Sequence, residues 1–337
     1  MNLSLVADLF ARKVFYELKR LRALAKYPFY RKKLIERLSR QIPQLSFETT
    51  NICNANCVFC AYQYQSRPTG VMQMALFKKV VDEYVACGGG PIGLTPTVGD
   101  PLIDPLLLDR IRYARSQPNI TSIGMYTNMI LLEKITGEAL VESGITKVIV
   151  STSGMDEEMY KRVYRSQAYK KVLSNIHHFI DANEKRGNPV DFRIAMRIDR
   201  PMAEVFSGED CRKIIARIGS DLISVAFTFD NWAGKITQDQ LPGTMRLRSS
   251  RDFGHPRISA CSELYSGPMI YWDGKVGACG CRDVDARELV IGDANKESIV
   301  EIWFGEQIQR LREEFMTPKI HKICDTCSLY NNLSVYL

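Results

Sequence analysis

The chain carries ten cysteines, and seven of them fall into two constellations whose spacings differ in kind. The stretch "NICNANCVFCAYQ" (51–63) places Cys53, Cys57 and Cys60 within eight residues as C-x3-C-x2-C, with no fourth cysteine nearby. Structural zinc needs four ligands, usually in two close pairs, so three clustered thiolates do not make such a site. On a four-iron, four-sulfur cube, three thiolates leave one iron without a protein ligand, whereas a cube used only for electron transfer normally has four. An open iron can bind a substrate or cofactor. The second set, Cys261, Cys279, Cys324 and Cys327, ends in a C-x2-C pair and could saturate a cube. That suits electron transfer or structure, with a zinc knuckle as the alternative. The first residues lack the apolar core of an export signal and no long apolar run follows, so the expected location is cytoplasmic, where clustered thiols are more often metal ligands than disulfides.

Three cysteines remain. Cys87 ends a helical run and reads as a buried small apolar residue, and Cys211, opening "CRKIIARI", reads as core. Cys281 stands two residues beyond Cys279 and could be a substitute ligand.

These residues need a scaffold. From residue 45, β-rich runs alternate with helical patterns. The strands are expected at 45–49, 92–97, 122–127, 147–152, 192–198 and 223–229, with helices at 74–87, 157–165 and 169–185 between them. Six successive β-then-α units predict a parallel sheet, closed as a partial or full TIM-type (β/α) barrel, with functional residues on the loops after strand ends. Past a Gly-, Pro- and Asn-bearing stretch at 230–245 the alternation stops. A cysteine-rich unit follows, with a hairpin in "MIYWDGKVGAC" turning at Asp273-Gly274. Ahead of the barrel, Leu3, Val6, Phe10, Val14, Leu18, Leu21 and Leu24 recur at helical spacing, a pattern that Pro28 is expected to interrupt. Residues 1–41 hold eleven Lys or Arg against three acidic residues, a net +8 in a chain of net +7. The expected organisation is a basic amphipathic segment (1–41), a barrel (42–245) and a small C-terminal domain (246–337).

The C-x3-C-x2-C loop after a first strand, with Phe59 before its last cysteine, resembles the signature of the radical S-adenosylmethionine (SAM) superfamily, built on a (β/α)6 partial barrel. The resemblance implies that Cys53, Cys57 and Cys60 hold a [4Fe-4S] cluster. Its open iron would be chelated by S-adenosyl-L-methionine, and reduction would release a 5′-deoxyadenosyl radical. "TVGDP" (97–101) stands where the family has Gly-Gly-Glu-Pro, which makes Gly99, Asp100 and Pro101 cofactor-binding candidates. Val98 and Asp100 depart from that motif, so its backbone role carries over better than its side-chain role. Ser151 and Ser153, in "VSTSGMDEEMYKRVYR", are candidates for the ribose or methionine carboxylate, and Arg197 is a candidate carboxylate partner through its planar fork. The second cysteine set, with Gly274-x4-Cys279, resembles the twitch form of the SPASM iron–sulfur domain, which implies a second, auxiliary [4Fe-4S] cluster.

The resemblance extends to twitch-type sugar and aminocyclitol dehydrogenases. It implies hydrogen abstraction from a carbon of a small polar substrate, most simply dehydrogenation of a sugar or aminocyclitol alcohol. The alternatives are a radical epimerase in which Cys281, the candidate catalytic residue, is the hydrogen-atom donor to the substrate radical, and a peptide-modifying maturase. Against the latter, the residues before the cluster loop read as helix and not as a strand-rich peptide-recognition domain. The molybdopterin-precursor cyclases share a two-cluster plan, but their second cluster has three cysteines and their C-terminal Gly-Gly is replaced here by "SVYL". The implied electron donor is a flavodoxin or ferredoxin, and no nucleic-acid partner is expected. The basic segment 1–41 is expected to pack its apolar face on the barrel, with peripheral membrane contact as the alternative.

Overall fold

The structure, a computed structural model, describes residues 3–248, 259–280, 282–315, 321–325 and 327–337. Cys281 lies outside the described residues. Six strands run in parallel in chain order: β1 (Leu45–Phe47), β2 (Gly90–Gly93), β3 (Ile120–Thr127), β4 (Lys147–Thr152), β5 (Asp191–Arg197) and β6 (Ile223–Ala226). The helices between them include α2 (Met74–Ala86), α3 (Leu107–Ser116), α4 (Gly137–Glu142), α5 (Glu157–Tyr164) and α6 (Tyr169–Glu184). The expected α/β class and parallel sheet are therefore present. The β4–β5 ladder shows why the register holds. Val148, Val150 and Thr152 alternate inward from half-buried neighbours, and a one-residue slip would turn all three outward.

The second and sixth strands depart furthest from expectation. The second begins at Gly90 and ends at Gly93, short of residue 97, because Pro96 has no N–H for a ladder. The Thr97 hydroxyl donates instead to the Gly280 carbonyl at 2.9 Å. The sixth breaks at the exposed Phe227, after which β7 (Thr228–Phe229) pairs with β8 (Arg246–Leu247) in a separate ribbon.

The expected hairpin forms, as β9 (Met269–Ile270) and β10 (Lys275–Gly277), followed by β11 (Val290–Asp293). It is hydrogen-bonded to the barrel: β9 runs parallel to β1, with Phe47 opposite Ile270, so one sheet passes from β11 through β1 to β6. An open barrel leaves β1 with an unpaired edge, and this pairing covers it. The approach requires glycine at 267, where φ is +127° and a Cβ would lie 1.8 Å from the Gln44 carbonyl oxygen.

The N-terminal helix α1 (Leu3–Leu38) runs through Pro28 and does not stop there. A mid-helix proline removes one hydrogen bond and bends the axis. The turns beyond it are held by Tyr27, Leu34 and Leu38, all buried against the body, and the next segment is tied by a hydrogen bond from Trp303 Nε1 to the Gln41 carbonyl. The expectation that the apolar face packs on the barrel holds only for these last turns, because Phe15, Leu18 and Leu21 are exposed. Cys87 also departs from expectation: it caps the end of α2 and is exposed, its thiol donating to the Tyr84 carbonyl. Cys211 is fully buried in the core, as expected.

Candidate active site

The cysteine loop leaves the C-terminal end of β1 and lies against the end of α5. The Asn56 and Val58 amides donate to the Tyr164 and Val163 carbonyls, and the Cys60 amide closes a turn on the Cys57 carbonyl. Asn51 braces its start, donating to the Pro68 carbonyl and to Gln65 and accepting from the Gly70 amide. Phe59 stacks on Phe229 at 5.3 Å and meets Tyr164 edge-on at 5.5 Å, while its carbonyl accepts from Trp232 Nε1. Three half-buried thiols are thereby held by packing on one short loop. Burial pushes Cys53 up to about 12, with the nearby Asp100 and Cys60 charges adding to it, and Cys60 up to about 11. Cys57 rises well above the usual thiol range, through burial first and then repulsion from Cys60 and Cys53. Such mutually repelling thiolates call for a cationic partner, and binding metal releases their protons. A cleft of about 460 Å³ opens beside the loop, lined by Cys53, Asn54, Tyr62 and Arg165 among others.

The loop after β2 closes on this one. At Gly99 φ is +137°, and a Cβ would lie 2.8 Å from the Thr50 carbonyl oxygen and 3.1 Å from that of Ile52, so only glycine lets the two backbones meet. The adjacent Asp100 amide donates to the Ile52 carbonyl. The Asp100 carboxylate is buried and accepts from the Leu102 amide, the Thr127 hydroxyl and the Asn128 amide. It ties the β2 loop to the end of β3, and burial raises it to about 6. Pro101 is buried behind it.

Of the other sequence candidates, Ser151 shares a hydrogen bond with the Tyr164 hydroxyl at 2.9 Å, and Ser153 is buried, its hydroxyl 3.4 Å from the Asp156 carbonyl. Arg197, half-buried at the end of β5, sits 5.8 Å from the Phe59 ring centroid, and its charge reaches Cys57. Among the described residues its side chain makes that ring contact and no ion pair with a carboxylate. Asn128 was missed by the sequence reading. Its amide nitrogen donates to Asn54 at 2.7 Å and lies 3.9 Å from Cys53 Sγ. Its sole signal was its place just after a barrel strand. Glu48, directly after β1, was missed too. It is fully buried in a pair with Arg67 (Nη2 to Oε2, 2.7 Å), whose guanidinium lies 5.0 Å from the Tyr271 ring and so joins β1 to the hairpin.

The second constellation assembles differently. Cys261, Cys279, Cys324 and Cys327, far apart in sequence, line one narrow apolar cavity with Leu264 and Phe315. Cys261 is buried and its thiol is pushed up to about 12, chiefly by that burial. Among the described residues, no three His, Cys, Asp or Glu side chains converge closely enough to hold a single metal ion. A cube takes each thiolate on a different iron, so it needs cysteines spread around a cavity, as these are.

Residues 47–194 match the family model of the Radical SAM superfamily, and residues 261–328 match that of an iron–sulfur cluster-binding (SPASM) domain. Residues 47–194 are thus a radical SAM domain, followed by a SPASM domain. The first implies S-adenosylmethionine and a [4Fe-4S] cluster, and the second implies auxiliary iron–sulfur binding. The chain is 27% identical over 139 residues to the GTP 3′,8-cyclase of Chlorobaculum tepidum, covering 41% of each chain. It is 29% identical over 152 residues to a probable GTP 3′,8-cyclase of Sulfurisphaera tokodaii, covering 44% of this chain and 46% of that one. These alignments span under half the length of the curated relatives. Among solved structures, BtrN in complex with AdoMet and 2-DOIA superposes with a TM-score of 0.53 at 17% identity, over 85% of this chain and 92% of that one. Streptococcus suis SuiB bound to precursor peptide SuiA gives 0.62 at 13% identity, over 90% and 74%. At these identities the likeness is one of fold. No helix among the described residues of this radical SAM enzyme is long and apolar enough to cross a membrane.

Proposed function

We propose that this radical SAM enzyme is an oxidoreductase that dehydrogenates an alcohol of a small polar substrate, a sugar or aminocyclitol unit. Cys53, Cys57 and Cys60 would hold the cluster with the open iron. Arg197, a cation without a carboxylate partner among the described residues, would bind the methionine carboxylate, and the backbone at Gly99 would face the methionine amino group. Ser151 and Ser153 are the hydroxyls on the neighbouring strand end. When bound, S-adenosylmethionine and its reduced cluster supply the radical that removes a hydrogen atom from substrate. The observation that carries the reading is the closed cavity of Cys261, Cys279, Cys324 and Cys327. Four cysteines satisfy a cube completely, which fits it to accept the second electron of an alcohol oxidation rather than to bind substrate. The likeness in fold to BtrN, over 92% of that chain, is consistent with a small substrate. We place the functional boundaries at 1–41, 42–245 and 246–337, and a flavodoxin or ferredoxin as the electron donor.

Anaerobically reconstituted enzyme should convert its substrate to a product two hydrogens lighter, with no solvent deuterium fixed at the oxidised carbon. A product of unchanged composition carrying one deuterium would establish epimerisation instead, with Cys281 as the hydrogen donor to test.

The outward side of α1 is a docking surface for an anionic bilayer in this reading. On a 3.6-residue repeat, Leu18 and Phe29 fall opposite the buried Tyr27, Leu34 and Leu38, with Phe15 on the flank of that side, interleaved with exposed Arg22, Lys26 and Lys33. A second copy would set like charges against each other, and nucleic acid offers no apolar layer for phenylalanine and leucine. An anionic membrane interface accepts both.

A further inference from the structure

Between the two cysteine sets lies a buried chain of contacts that the function proposed above does not use. The Trp232 indole N–H donates to the Phe59 carbonyl, at the residue next to Cys60. Arg282 stacks over the Trp232 ring with its guanidinium 4.6 Å from the centroid. Its Nε is 2.6 Å from Asp230 Oδ2, and the other oxygen of Asp230 accepts from the hydroxyl of Ser328, next to Cys327. Arg282, Asp230 and Ser328 are all buried. The sequence between Phe59 and Ser328 hides this chain, because its members come from the cluster loop, the segment after β7 and the loops around the second cysteine set.

Arg282 lines the four-cysteine cavity, whereas its partner Asp230 is not among the lining residues, so the positive member of the pair is the one at the cavity. Its charge also reaches Cys60 of the first cysteine set. A carboxylate and a ring face hold the guanidinium in one orientation, a use for which arginine's planar fork is suited and lysine's point charge is not. Charge and hydrogen bonding around the sulfurs set the reduction potential of an iron–sulfur cluster, and a fixed cation favours the reduced, more negative state.

We propose that Arg282 is a positioning residue that raises the reduction potential of the auxiliary cluster, with Asp230 and Trp232 fixing its guanidinium toward the cavity. This rests on the assignment of Cys261, Cys279, Cys324 and Cys327 as the ligands of that cluster. Raising the potential makes the cluster a better acceptor for the electron that leaves a substrate radical. It also explains why a cation is buried at a site lined mainly by apolar and sulfur groups.

The test is an anaerobic potentiometric titration of the reconstituted full chain, followed by electron paramagnetic resonance, with iron and sulfide counted for each variant. Arg282→Gln should lower the auxiliary potential, making reduction about tenfold less favourable, or about 59 mV for one electron. Arg282→Lys should fall between it and the wild type. Asp230→Asn leaves the cation without its counter-charge and should move the potential in the opposite direction, which keeps the proposal testable if Arg282→Gln fails to load iron. Unmoved potentials in fully loaded variants, or a downward shift in Asp230→Asn, would overturn the proposal alone. Wild-type protein that loads only one cube would overturn the ligand assignment and this proposal with it.

Discussion

The two cysteine sites solve opposite problems. Cys53, Cys57 and Cys60 sit on one loop, three half-buried thiols beside an open cleft, and their mutual placement follows from a handful of local hydrogen bonds and the packing of Phe59. Cys261, Cys279, Cys324 and Cys327 come from separate segments and meet only because the hairpin extends the barrel sheet and the last helices fold over it. The open site has fewer donors than a cube has irons, and the closed site has one for each. Access and coordination number together separate a centre that can bind a cofactor from one that can only pass or store electrons. The difference also predicts how each will fail. A local site loses a ligand without disturbing the fold, whereas a site joining distant segments carries part of the fold's closure.

The most severe break should come from Cys57→Ala, which removes one of the three ligands proposed for the open cluster. Reductive cleavage of S-adenosylmethionine should fall below detection, and iron content should drop by about half from roughly eight per chain. Cys327→Ala should remove a comparable share of iron yet leave measurable cleavage while impairing product formation. Equal loss of cleavage in two folded variants would erase the distinction between the sites.

Gly99→Ala sharpens the comparison from the backbone side. With φ at +137° and a Cβ 2.8 Å from the Thr50 carbonyl, the variant should lose about 1–3 kcal/mol in strain. The displaced loop is the one that carries Cys53, so cofactor affinity should weaken while the auxiliary cluster's spectrum stays unchanged. Isothermal titration with S-adenosylmethionine, alongside the electron paramagnetic resonance of both clusters, checks this.

A smaller effect concerns Asp100, which braces the open site. Its folded pKa of about 6 lies above the ordinary 3.8, so the folded state keeps a proton that the unfolded chain has released. Its contribution to stability is thus complete below about pH 4 and is lost as pH rises through about 6, by roughly 3 kcal/mol at most. Asp100→Asn should flatten that part of the pH dependence of denaturant unfolding in iron-free protein. An unchanged slope would mean that Asp100 is not the group responsible. The mildest test is on α1: binding to anionic vesicles should weaken with added salt and with Phe15→Ser, because screening acts on exposed charge and the apolar anchor adds the rest. Binding that ignores both would leave the helix as a solvated strut.

Much of the barrel could be read from the chain. The fourth strand, 147–152, matches residue for residue, and the helices at 74, 157 and 169 begin where their apolar periodicity begins. The three-thiol loop was equally legible, because Cys53, Cys57 and Cys60 are separated by only three and two residues, a spacing that places them on one loop. The second strand and the sixth were misjudged at their C-terminal ends, where Pro96 and the exposed Phe227 redirect the chain toward contacts with distant residues. Pro28 was read as a stop because proline costs a helix one hydrogen bond, but Tyr27, Leu34 and Leu38 find partners on the body and the helix continues.

What the sequence by itself determined was therefore everything whose range is a few residues: strand and helix periodicity, the three-thiolate loop, the C-x2-C pair and the glycine at 99. What only the tertiary structure decided was everything that depends on which distant groups share a burial site. Asp100 became a brace because Thr127 and Asn128 meet it at the end of β3, and Asn128 came within reach of Cys53 through the same crossing. Arg282 became the link between the two cysteine sets because Asp230 and Trp232 hold it there. A charge is costly to bury unless partnered, and those partners lie some fifty residues away in the chain, a separation at which sequence spacing no longer carries geometry.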